Sequence, residues 1–234
     1  MKALILNSGL GSRMGKYTVS SPKCMVPLKE NETIVARQLR LIAQMGITEV
    51  VMTTGPYEEL LKNHIKSLDL PLQIAFVNNP QYKETNYIYS IYLAREFLHD
   101  EIVLMHGDLV FEEKVLEQVV KSEADCMTVS SAMELPEKDF KAVLKDGIIQ
   151  AVGIEFMENA VAAQPLYHLG EAAWSVWLNQ IVAFCETGEV SCYAENALNQ
   201  VTDQMKLHPY DFGNLLCQEV DREEDLFAVR SLLK

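Results

Sequence analysis

The sequence predicts an α/β fold: a doubly wound, mostly parallel sheet with helices on both faces. Strand-sized apolar runs alternate with segments of helical period from residue 3 to residue 131, and polar, glycine-bearing turns follow two of the runs. ALILN (3–7) is the first run, and EVVMTT (49–54), LQIAFV (72–77), EIVLMH (101–106) and DCMTVSS (125–131) read as further strands. Between them, residues 33–45 carry Val35, Leu39 and Ile42 at helical spacing and close at Gly46; residues 57–68, 86–98 and 112–121 share that period. Beyond about residue 135 the rhythm changes. KAVLKDGIIQAVGIEF predicts a hairpin turning at Asp146-Gly147, and residues 170–186 predict a helix whose Trp174 and Trp177 share one face, the pattern of core packing. In such sheets ligands bind beyond the carboxyl ends of the strands. The glycine loop after the first run and the HGDL turn after Met105 both lie at such ends.

Composition narrows the function classes. The chain is 49% hydrophobic, enough over 234 residues for one sizeable core, and one domain (1–234) is expected, with residues of about 135–215 forming an acceptor-side lobe. A formal net charge of −13 argues against nucleic acid or an anionic membrane as partner. The longest apolar runs are strand-sized, so no bilayer span is expected, and Met1-Lys2 leads directly into a strand without a signal-peptide pattern. Five cysteines without a CxxC pair suit the reduced thiols of a cytoplasmic protein.

Against this acidic background, residues 1–29 hold Lys2, Arg13, Lys16, Lys23 and Lys29, while all 33 acidic residues lie further on. Within that stretch, LNSGLGSRMGKYTVSSPKCMVPL (6–28) combines bare backbone with positive charge. Glycines at 9 and 11 let amide donors approach an anion. Neither common phosphate-binding fingerprint fits: Met14 stands where a dinucleotide motif needs glycine, and Tyr17 where a P-loop needs Ser or Thr. The pattern present is GxGxR, followed nine residues after the arginine by Pro22-Lys23.

This pattern resembles the signature of the sugar-phosphate nucleotidyltransferase superfamily, usually AAGxGxR…PK. NNPQYKETNYIYSIYLA (78–94), MHGDLVF and CQEVDREEDL extend the likeness toward the bacterial phosphocholine cytidylyltransferases and their relatives acting on small phosphonates or phosphorylated amino compounds. The resemblance implies a Rossmann-like nucleotidyltransferase fold and transfer of CMP from CTP to a small phosphorylated or phosphonate amine, with release of pyrophosphate. By similarity, Gly9, Gly11 and Ser12 hold the triphosphate, with Asn7 and Leu10 beside them. Arg13 grips the β- and γ-phosphates, and Lys23 neutralises the α-phosphate and the incoming oxygen. Pro22 restricts the chain that aims Lys23. Asp108 and Asp221 match the family's magnesium ligands, in keeping with the ion's preference for hard oxygens. Each also has a local reading as a helix cap, Asp108 before Glu112 and Asp221 before Arg222.

The same similarity brings Asn86, Tyr89 and Ser90 close to the nucleotide, and Thr54 and Gly55, ending the second strand, are further candidates. Tyr87, Tyr89 and Tyr92 read equally well as helix packing. In SCYAENALNQ (191–200), Tyr193, Glu195 and Asn196 stand in the acceptor stretch, but Ala194 replaces the tryptophan usual in choline enzymes. That departure weakens phosphocholine itself and leaves an aminoalkylphosphonate or amino-acid phosphate equally open. His106 is expected to support the Asp108 loop, because an anionic acceptor oxygen needs no general base. No zinc or redox pattern is present in the sequence. A homodimer is open. The rival function is a sugar-1-phosphate nucleotidyltransferase, and a remoter one is a non-catalytic nucleotide sensor.

Overall fold

The computed structural model describes residues 1–233. Its elements are β1 (Lys2–Asn7), β2 (Pro27–Lys29), β3 (Glu32–Thr33), α1 (Ile34–Gln44), β4 (Glu49–Thr54), α2 (Glu58–Ser67), β5 (Gln73–Asn78) and α3 (Tyr87–Ala94). They continue with β6 (Ile102–His106), β7 (Leu109–Phe111), α4 (Glu113–Val120), β8 (Cys126–Ser130), β9 (Lys141–Lys145), β10 (Ile148–Gly153) and β11 (Ala160–Leu169). The last are α5 (Glu171–Glu186), α6 (Ala194–Leu198), β12 (His208–Asp211), β13 (Cys217–Glu219) and α7 (Glu223–Leu232).

The first helix of the alternating half starts and stops for local reasons. α1 begins where the Thr33 hydroxyl accepts from the Ala36 amide at 3.2 Å and ends at Gly46, whose φ of 79° closes the last turn. Its apolar residues Val35, Leu39 and Ile42 are fully buried, as the period predicts. The helix expected over 86–98 is shorter, since α3 tightens into a 3-10 turn over Arg95–Phe97.

Nine strands form one sheet among the described residues, in the order β10-β9-β11-β6-β1-β4-β5, with β8 on β11 and β12 beyond it. β6, β1, β4 and β5 run parallel. β11 is the longest of the strands that the sequence did not announce; it runs antiparallel to β6, β8 and β9, so β8 joins the sheet through it rather than by extending the parallel run. The alternation of side chains along β1 separates two cores. Leu4 and Leu6 face α3, α5 and α6, whereas Ala3 and Ile5 face α1, α2 and α4. Trp174 and Trp177 belong to the first core: both are buried and edge-on at 5.6 Å, and their indole N–H groups donate to the Leu98 and Ala194 carbonyls.

A third, smaller core positions the site. Met14, Val26, Leu28 and Ile34 from the glycine-loop region pack with Val110, Leu216, Val220, Leu226 and Val229. Burial of these apolar side chains ties the start of the chain to β7, β13 and α7. No helix among the described residues is long and apolar enough to cross a membrane.

Candidate active site

Behind β1 the chain turns at the glycines. Gly11 has φ 62°, and a Cβ there would lie 2.8 Å from that of Lys23, so glycine is what allows the lysine to cross the loop. The Thr18 hydroxyl donates to the Gly11 carbonyl at 2.9 Å and holds the turn. Pro22 is extended and leads into the short turn Lys23–Met25, where buried Cys24 anchors the backbone below and leaves Lys23 aimed at the loop.

Lys23 Nζ donates to Asp108 Oδ2 at 2.5 Å and to Asp221 Oδ1, and Arg13 pairs with the other oxygen of Asp221 at 2.9 Å. Burial pulls the Lys23 ammonium down, but the Asp108 and Asp221 charges outweigh it and its pKa ends raised. For Asp108 burial pushes upward, and Lys23 followed by His106 brings the carboxyl below its ordinary value. Neither aspartate caps a helix. Glu112 occupies the N-cap of α4, and at α7 the Arg222 and Asp221 amides donate to Asp225. Two braces fix the carboxylates: the Val220 amide donates to the Asp108 carbonyl at 3.0 Å, and the Gln38 side chain donates to the His106 and Leu109 carbonyls, each at 2.8 Å.

A cleft of about 290 Å³ runs from this loop along the carboxyl ends of the strands. Ser8, Gly9, Arg13, Asp108 and Asp221 floor it, Asn79, Tyr82, Thr85 and Asn86 form one wall, and Tyr87, His106, Phe140, Tyr193 and Glu219 form another. Asn7, Gly11 and Lys23 line an adjoining hollow of about 190 Å³. Leu10 and Ser12 are exposed on the loop and line neither space.

The remaining expected contacts lie behind the walls. Ser90 is buried, hydrogen-bonded to Ser8 at 2.6 Å and to Asn79 at 2.9 Å. Thr54 is buried and donates to Glu58, and Gly55 lies so close to the Ser8 carbonyl that a Cβ would collide. Tyr89 stacks on Tyr92, away from the cleft. Glu195, expected at the acceptor, is 1% exposed and accepts from the Tyr87 and Tyr167 hydroxyls. It therefore orients the tyrosine wall rather than lining the cleft, while Asn196 is exposed outside it. Of the acceptor candidates, Tyr193 reaches the cleft, 5.8 Å from Tyr87 and 5.3 Å from Phe140 between ring centres.

A family profile for the MobA-like NTP transferase domain matches residues 3–200. This chain belongs to that family. Within the NTP transferase family, it is 35% identical to the CMP-5'-(3-aminopropyl)phosphonate synthase of Streptomyces rubellomurinus over 56% of its length, a match that spans only 21% of the synthase. It is 27% identical to the CTP:phosphoglutamine cytidylyltransferase of Campylobacter jejuni, covering 80% of this chain and 78% of that one. The fold is that of the CTP:phosphocholine cytidylyltransferase of Streptococcus pneumoniae, with TM-score 0.81, 17% identity and 100% and 99% of the two chains covered.

Sequence reasoning missed Glu219, Asn79, Tyr82, Thr85 and Phe140. His106 Nδ1 lies 2.9 Å from Glu219 Oε1, and burial followed by the Asp108 charge pushes the Glu219 carboxyl up to about 7. A signal for Glu219 existed: it stands two residues before Asp221 at a strand end, where side chains two apart share a side. Asn79 directly follows β5, another carboxyl strand end.

Proposed function

We propose that this NTP transferase carries CMP from CTP to a small phosphorylated or phosphonate amine and releases pyrophosphate. The observation that carries the reading is the Lys23 ammonium held between Asp108 and Asp221 beside the glycine loop. In the reaction an acceptor oxygen forms a bond to the α-phosphorus, and the bond from that phosphorus to the bridging oxygen breaks, leaving pyrophosphate. Both partners are anions, so the barrier falls mainly through positioning and neutralisation. Lys23 neutralises charge at the α-phosphorus. Arg13, mostly exposed and paired with Asp221 at 2.9 Å, grips the outer phosphates. Loop amides around Gly9 and Gly11 donate to the same chain of phosphates.

Asp108 and Asp221 suit a magnesium ion: both offer hard oxygens, and Asp108 Oδ1 is buried without a hydrogen-bond partner among the described residues. These two would hold it, and when bound it supplies further neutralisation of the triphosphate. Asn79, Tyr82, Thr85 and Asn86 offer amide and hydroxyl groups to the base. On the acceptor side, the rings of Tyr87, Phe140 and Tyr193 with the carboxyls of Glu219 and Asp139 suit a cationic head group. The relatives acting on phosphoglutamine and named for aminopropylphosphonate support an amine-bearing acceptor.

The test is pyrophosphate release with magnesium across the four nucleoside triphosphates and a panel of phosphocholine, phosphoethanolamine, aminoalkylphosphonates, phosphorylated amino acids and sugar 1-phosphates. Release that needs CTP and one amine-bearing acceptor is expected. Release only with a sugar 1-phosphate would replace the proposal with its rival, and release with none would refute the transfer reading.

A further inference from the structure

The β10 and β5 edges of the central sheet are finished differently. At the β10 edge the outward backbone groups are taken: the Ile149 amide donates to the Leu207 carbonyl at 2.8 Å, and the Asn199 side chain both accepts from the Val152 amide and donates to its carbonyl. At the β5 edge, Gln73, Ala75 and Val77 face β4, as the Gln73 amide on Thr48 and the Asn79 amide on Thr54 require. That leaves the backbone groups of Ile74, Phe76 and Asn78 turned outward, and among the described residues no partner meets their amides. Exposed edges are usually blunted by charge, bulges or proline within the strand. β5, QIAFVN, contains none of these, and the charge-free stretch reaches from Leu70 to Tyr82.

We propose that a second copy of this chain pairs its own β5 here, antiparallel about a two-fold axis at Phe76. In that register Phe76 faces Phe76 of the second copy and Ile74 faces its Asn78, so every outward group on one strand meets its complement on the other. The charges select this occupant. The neutral stretch is bounded by Asp69 at one end and Lys83 at the other, neither of which makes an ion pair among the described residues. Antiparallel pairing turns the acidic end of each strand toward the basic end of the other. In a chain of net charge −13, a strip whose own residues are uncharged, with Lys62 over the Phe76 ring and opposite charges at its ends, is a place where two copies approach without opposing carboxylates. Hollows of about 270 and 320 Å³ adjoin the strand, one beside Phe97 and one beside Leu70 and Phe76, where side chains of the second copy find room.

The test is the mass of the full chain in solution by light scattering, with a Phe76→Cys variant in a Cys185→Ser, Cys192→Ser background treated with diamide. Twice the chain mass of 26.4 kDa is expected, falling to the single mass in Phe76→Lys and in Ile74→Pro, whose lost amide faces outward and bonds nothing within its own sheet. Thermal melting of both variants checks that the fold survives. Directly opposed residues of such a pair have Cα atoms about 5.5 Å apart, within disulfide reach, so Phe76→Cys should cross-link to itself and Ile74→Cys should not. A wild-type chain that stays at the single mass at hundreds of micromolar overturns the proposal. So does a dimer that persists in both edge variants, or one in which Phe76→Cys does not cross-link.

Discussion

The two ends of the cleft are built on opposite plans. At the phosphate end, charged groups from three distant stretches of chain neutralise one another: Lys23 lies between Asp108 and Asp221, and Arg13 shares the latter. At the other end the rings of Tyr87, Phe140 and Tyr193 line the cleft beside Asp139 and Glu219, and Glu195, which orients two tyrosines, is hidden behind the wall, bonded to their hydroxyls. One end is held by ion pairs. The other is held by a buried carboxyl that fixes rings. Substitutions at the first should therefore strike the chemistry, and those at the second should strike acceptor selection and stability together.

The sharpest break is Lys23→Ala. Under the proposed function it removes the cation at the reacting phosphorus and should lower turnover roughly 10²–10³-fold, read by pyrophosphate release, with the folded chain retained by circular dichroism. Gly11→Ala acts on the same end without touching charge. Its new Cβ meets Lys23 at 2.8 Å and its φ of 62° strains any side chain. Displacing the lysine should lower turnover on the order of 10-fold or more, because a misplacement of about 1 Å can cost about 10²-fold. Glu195→Ala tests the other end. It strands two buried tyrosine hydroxyls, so unfolding in denaturant should show a loss of about 1–3 kcal/mol. The KM for the acceptor should rise several-fold more than that for CTP, and Glu195→Gln should restore much of both. If the KM for CTP moved equally, the two ends would not be separable.

The smallest effect lies at the far end of the sheet and serves as a control. The Met1 ammonium meets Asp100 at 3.0 Å, and this hydrogen bond, against a smaller effect of burial, lowers the Asp100 carboxyl below its ordinary value. A lowered carboxyl contributes stability above its unfolded pKa and loses it as pH falls through the lower folded one. Asp100→Asn should thus cost well under 1 kcal/mol near pH 7, should cost nothing in strong acid, and should leave turnover unchanged.

How much of this was legible in the sequence follows the same division. The strand–helix alternation through β8 reads directly, because the central strands are short continuous apolar runs buried on both faces and the helices between them repeat apolar residues at helical period. β11 does not read. Its AVAAQPLYHL is broken by Pro165, which lies where the pairing with β8 shifts register, a place where proline is tolerated. That Arg13, Lys23, Asp108 and Asp221 lie together is legible because all four match the signature that the sequence resembles. Glu195 was marked for the acceptor and instead lies behind it, since only the tertiary packing of α3 against α6 and β11 shows which way a carboxylate in a helix turn faces.

The small core joining the glycine loop to α7 has a consequence for the order in which the protein is made. Lys23 and Asp221 are 198 positions apart, so when the lysine leaves the ribosome its carboxylate partner has yet to be synthesised. The parallel half of the sheet can assemble meanwhile from segments that are near neighbours in the chain, as domains tend to do during synthesis. The charge clamp closes only once Asp221, just ahead of α7, has been added. A growing chain can thus form the parallel half of its sheet long before Asp221 is available to meet Lys23.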